Sequence, residues 1–149
     1  MELILRLKEF YLLELLQLKM YQSQLGSLQD EYLRAVYERM IQSERRHVTF
    51  YEQLLMEHQQ KIPSIPGGVT SLVGMFLGEA ADITSAKNRY KLGAAVENKA
   101  IEMYRALILE TADRPDLQKG LWHNMIDEEF HLLWFKDNQK QATTLVKST

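Results

Sequence analysis

The chain contains no cysteine. Disulfide bonds, a thiolate nucleophile, a zinc knuckle and a cysteine-ligated iron–sulfur cluster are therefore all excluded. Charge of one sign is also lacking. A net charge of −2 gives no electrostatic reason to expect a nucleic-acid partner. No run of 18 apolar residues is present to span a bilayer. The leucine-rich stretch from Met1 to Met20 is interrupted by Glu2, Arg6, Lys8, Glu9 and Glu14, so it has no signal-peptide core. The expected compartment is the cytoplasm. Only three prolines occur, and two of them, Pro63 and Pro66, mark the single long break in an otherwise helical pattern. What remains is 46% hydrophobic and 26% charged over 149 residues, which predicts one globular domain spanning residues 1–149.

The hydrophobic period is helical almost throughout. Leu3, Leu7, Phe10, Glu14, Leu18, Tyr21 and Leu25 fall at steps of three and four, predicting a helix over about 2–25. Gly26 ends it, and Ser27 with Asp30 reads as the cap of a second helix over about 28–59. That helix carries Leu33, Tyr37, Met40 or Ile41, Glu44, His47 or Val48, Tyr51 and Leu54 or Leu55 on its apolar side. Thr84 or Ser85 caps a third helix over about 85–111, with Tyr90, Gly93 or Ala94, Glu97, Ala100 or Ile101, Tyr104 and Ile108 inward. Asp113 and Pro115 open a fourth over about 115–138, and the polar tail beyond Asn138 is expected to fray. Nothing reads as a strand. The predicted fold is all-α: a four-helix bundle of two antiparallel hairpins, joined by a long crossover over 61–83 that carries a short helical segment.

Polar residues inside these stripes carry the chemistry. Glu44-Arg45-Arg46-His47 and Glu128-Glu129-Phe130-His131 are both Glu-x-x-His units, and each follows a lone glutamate, Glu14 or Glu97. The offset is 83 residues from Glu14 to Glu97, and 84 from Glu44 to Glu128 and from His47 to His131. The other histidines lack the unit, since Leu55 precedes His58 and Gly120 precedes His123 by three. Residues three apart share a helix face, so each unit can aim a carboxylate and an imidazole at one point. A glutamate within an apolar stripe costs several kcal/mol of desolvation unless it is paired or bound to metal. Four carboxylates and two imidazoles make up the ligand set of a two-metal helical bundle. Four carboxylates would balance two divalent cations. Without metal, one or more of their pKa values should rise. Oxygen and imidazole donors suit two iron ions, and manganese or zinc could occupy the same site.

Secondary candidates follow from the same geometry. Tyr21 and Tyr104 each lie seven residues, about 10 Å, beyond the lone glutamate of their helix, and could hydrogen-bond a ligand carboxylate or simply fill the core. Asp127 is a candidate acceptor for the His47 imidazole, with Ser43 the weaker counterpart in the first hairpin; a solvated Asp127 fits equally well. Arg45-Arg46 reads as a solvated face, and Trp122 and Trp134 as core or interface residues. The apolar Val69–Leu77 patch either covers the bundle or docks a lipid, a membrane or a partner.

The arrangement resembles the ferritin-like di-iron carboxylate superfamily, closest to the bacterial demethoxyubiquinone hydroxylase-like and rubrerythrin-like proteins. The likeness covers about residues 8–138. It rests on Glu14, Glu44-x-x-His47, Asp82-Ile-Thr-Ser85, Glu97 and Leu121-Trp-His-Asn-Met-Ile-Asp-Glu128-Glu-Phe-His131. Unlike rubrerythrin, the chain has no cysteine for a rubredoxin site, and Ala100 stands where that family has an additional acid. The resemblance implies that Glu14, Glu44 and His47 bind one iron and Glu97, Glu128 and His131 the other, with Glu44 and Glu128 bridging. It also implies an oxidoreductase that activates O2 or peroxide and oxidises a small apolar, quinone-like substrate, using an external electron donor. An iron-binding ferroxidase or peroxide-detoxifying protein without organic substrate uses the same six ligands and stays open. Apolar residues on long helices also permit a homodimer.

Overall fold

The computed structural model describes residues 2–65, 67–77 and 85–147. Five helices occur among the described residues: α1 (Glu2–Leu25), α2 (Glu31–Glu57), α3 (Gly68–Leu77), α4 (Ala86–Glu110) and α5 (Pro115–Lys147). There is no strand among them, so the fold is all-α, as the sequence predicts. The helices gather into two compact units, Met1–Met75 and Phe76–Thr149.

In the first unit α1 and α2 form an antiparallel hairpin. Lys8 donates to Gln60 (3.0 Å), Phe10 stacks on Tyr51 (5.2 Å between centroids), and Tyr21 meets Tyr37 edge-on (5.9 Å), so the partner's number falls as α1 advances. The turn closes through Ser27, whose amide and hydroxyl both donate to the Gln24 carbonyl (3.1 and 2.9 Å). Arg34 reaches back from α2 to the carbonyls of Leu25 and Leu28 (3.3 and 3.1 Å), satisfying acceptors the helix end would otherwise leave open. Asp30, not Ser27, is the N-cap: its carboxylate accepts from the Leu33 amide (2.8 Å). Ser27 is spent on closing α1, so α2 starts three residues later than the sequence suggests.

The second unit repeats the plan. Ser85 caps α4 by accepting from the Asn88 amide (3.1 Å), and the Thr111 hydroxyl donates to the Leu107 carbonyl at its end (2.7 Å). Pro115 occupies the first position of α5, where its missing N–H costs nothing. Gln118 then donates to the Ile108 carbonyl (2.7 Å) and ties the hairpin's closed end. Gly93 brings α4 against the Phe135 ring of α5: a Cβ at Gly93 would lie 2.7–2.8 Å from three ring atoms. The expected frayed tail after Asn138 is instead helical to Lys147. Residues 139–147 contain neither glycine nor proline, and Asn138 donates back to the Trp134 carbonyl (2.9 Å), so nothing stops the helix.

The expected short helix between the hairpins is α3, reached through Gly67 and Gly68 at φ +78° and +74°, a backbone region that glycine enters without strain. Within the Val69–Leu77 patch, Leu72 and Val73 are buried and Met75 is exposed. Thr84, the alternative cap, and Asp82-Ile83 of the expected lead-in to the third helix lie outside the described residues.

Candidate metal-ligating site

Each unit buries one lone glutamate and one Glu-x-x-His. In the first, Glu14 comes from the middle of α1, flanked by the core residues Leu13, Leu16 and Leu18, while Glu44 and His47 come from adjacent turns of α2. All three are buried. The Nδ1 of His47 lies 3.1 Å from a Glu14 oxygen and 3.4 Å from a Glu44 oxygen. In the second unit Glu97 comes from α4, and Glu128 and His131 from α5. The Nδ1 of His131 lies 3.4 Å from a Glu97 oxygen and 3.5 Å from a Glu128 oxygen. The two triads use the same atoms in the same order. Within each, the three residues offer ligand atoms that all fall within 4.8 Å of one another.

Electrostatics make this arrangement expensive without a cation. Burial, and then the adjacent Glu128 carboxylate, hold Glu97 well above the usual carboxylate range; His131 opposes this more weakly. The rise in carboxylate pKa expected of a metal-free cluster is thus present at Glu97. Oxygen and imidazole donors with no sulfur, excluded from solvent and crowded with like charge, fit iron, which the family resemblance implies. A divalent ion held by these residues would take the place of the Glu97 proton and offset the desolvation of the carboxylates.

The remaining candidates divide. Tyr21 and Tyr104 are completely buried, and Tyr21 packs edge-on against Tyr37. Asp127 is half-buried, beside the Glu128 turn. Ser43 is buried, but its hydroxyl accepts from Arg46 (3.3 Å). Arg45 and Arg46 line a shallow open cleft on α2 with Thr49, Phe50 and Gln53, away from the ligands. Trp122 is exposed, whereas Trp134 packs edge-on against Tyr90 (5.6 Å). Sequence reasoning missed two buried amides on α1, Gln17 and Gln24. Spacing held the signal for Gln17, which is three residues after Glu14 and on the same face. Gly93 was visible only as an inward position; its contact with Phe135 is a property of the packed hairpin.

No characterised protein and no solved structure matches the chain. The family model described as ubiquinone biosynthesis protein COQ7 matches residues 14–104, a span that includes Glu14, Glu44, His47 and Glu97 and stops before Glu128 and His131. With the second triad repeating the first beyond that span, the chain belongs to the COQ7 family and is a ferritin-like di-iron carboxylate domain.

Proposed function

We propose that this protein is a non-haem di-iron oxidoreductase that uses O2, or peroxide, to hydroxylate or otherwise oxidise a small apolar, quinone-like substrate in the cytoplasm. The observation that carries the reading is the pair of matched buried triads, Glu14/Glu44/His47 and Glu97/Glu128/His131. The name of the matching family, a ubiquinone biosynthesis protein, supports a quinone-like substrate class. By the family resemblance Glu44 and Glu128 would be the shared carboxylates, and each histidine would ligate through Nδ1, the nitrogen that faces the carboxylates of its own unit.

Two ferrous ions, when bound, supply the electrons that O2 reduction requires. The chain's own residues prepare the place for that chemistry. Leu13, Leu16, Val96 and Phe135, all buried, pack on the ligand helices and keep water from the carboxylates. Tyr21 and Tyr104 close the ligand faces two turns from Glu14 and Glu97. Glu97 keeps its proton more readily than an ordinary carboxylate and would give it up on binding a cation. Reducing equivalents would come from a separate donor, as the family resemblance implies. The apolar α3, with Met75 exposed, offers a surface by which a greasy substrate or a lipid could approach.

The test is anaerobic loading with Fe(II), followed by exposure to O2 with a short-tailed quinone precursor and a chemical reductant. Oxygen uptake matched by an oxidised organic product supports the proposal. Oxygen uptake that scales with added Fe(II), releases Fe(III) and leaves the organic compound unchanged would establish the ferroxidase reading instead.

A further inference from the structure

On α5, Trp122, Ile126, Phe130 and Leu133 are 46, 44, 67 and 58% exposed. Steps of four, four and three place them on one stripe, on the side of α5 away from the buried Leu121, Glu128 and Phe135. Single exposed apolar residues are ordinary, but four in register form a patch. We propose that this stripe is the interface of a homodimer, with α5 packed antiparallel against α5 of a second copy.

The stripe is complementary to itself when reversed. In a two-fold contact, residue i meets j while j meets i. Pairing Trp122 with the partner's Leu133 and Ile126 with the partner's Phe130 gives both pairs a midpoint at position 127 or 128. Lys119 and Asp137 share that midpoint. They stand eighteen residues apart, about five helical turns, and so fall on the same edge of the stripe. Reversal therefore sets each lysine against the partner's aspartate at both ends. Asp137 pairs with Lys140 at 3.7 Å among the described residues, a solvent-exposed contact that exchanges at little cost.

Area agrees with a modest dimer. A whole aromatic side chain carries about 150–250 Å², so the exposed fractions of these four residues sum to about 400 Å² per copy. Two copies then bury about 800 Å² from the stripe alone, and the charged rim brings the total near the lower end of stable interfaces, about 1,200 Å². A lipid surface would favour a basic border. This stripe is instead bordered by both signs, with Glu129 paired to Arg105 (3.3 Å) and with Asp137 at the end opposite Lys119.

The test is sedimentation velocity of the full chain over a concentration series, with helical melting as a folding check. A reversible dimer is expected for the wild type, and Phe130→Lys and Leu133→Lys should each be monomeric. Lys119→Glu should weaken association about tenfold or more, and Lys119→Glu combined with Asp137→Lys should restore it. A wild type that stays monomeric at high micromolar concentration overturns the proposal. So does a dimer indifferent to both apolar substitutions, or a charge swap that fails to restore association. Monomer binding to phosphatidylglycerol vesicles that Phe130→Lys abolishes would reassign the stripe to a membrane.

Discussion

Replacing Gly93 with alanine sets two well-measured effects against each other. In a helix interior alanine is better than glycine by about 1 kcal/mol, because glycine loses more backbone freedom on folding. At Gly93 the added methyl would lie 2.7–2.8 Å from three carbons of the Phe135 ring. Ordinary carbon–carbon contact is about 3.5–4.0 Å, so the ring or helix must retreat by roughly 1 Å. The ring is fully buried, with Trp134 edge-on at 5.3 Å and Tyr90 at 6.4 Å, and has little room to move. Overpacking of this kind costs about 1–3 kcal/mol, which gives a net loss of about 1 kcal/mol. For a chain of this size that lowers the melting point by about 2–5 °C. Glu97 lies one turn after Gly93, and His131 one turn before Phe135, so iron occupancy should fall although no ligand is touched. Calorimetry of metal-free protein and iron analysis of loaded protein read the two effects. The double variant Gly93→Ala/Phe135→Leu should lose less stability than the separate changes added together. A Gly93→Ala protein more stable by about 1 kcal/mol would show propensity unopposed, and would refute the close contact.

Three further outcomes are expected. Glu44→Ala should reduce bound iron from about two per chain to near none by elemental analysis, while the helical content stays; retention of both ions would remove Glu44 from the shared-ligand role. In metal-free protein the raised pKa of Glu97 means the folded state binds its proton more tightly than the unfolded state does. Stability should therefore fall as pH rises from the ordinary carboxylate range up to the raised value, and level off above it. Glu97→Gln should flatten this fall in urea midpoints measured against pH, and an unchanged slope would assign the dependence to another group. Gln24 is buried, and its amide finds no hydrogen-bond partner among the described residues. Gln24→Met should raise stability by about 1–2 kcal/mol in denaturant titration, whereas a loss would show that the amide is satisfied.

Much of this architecture is legible in one sequence because helical periodicity and ligand spacing point the same way. Glu14 within the stripe from Leu3 to Leu25 already identifies a buried carboxylate. The 83–84-residue offset then predicts a second hairpin built like the first. What escaped depends on competition or on contacts distant in sequence. Ser27 and Asp30 are both competent caps, and only the closed turn shows Ser27 committed to Gln24. The polar end of α5 has no apolar stripe, yet it also has no residue that breaks a helix. Gln17 and Gln24 are polar residues whose burial is decided by the opposing helix of the hairpin. The close approach at Gly93 needs Phe135, some forty residues away in the chain, before it has meaning.

Each triad is assembled from residues close in sequence: His47 is 33 residues from Glu14. Short loops close quickly, and helical hairpins are among the fastest elements to form. A ribosome therefore finishes and folds the first three ligands before it has polymerised the last three. In that interval the nascent chain holds only three of the six candidate ligands. The full set exists only once synthesis has passed His131, so loading of two metal ions would be a late event in the life of the protein.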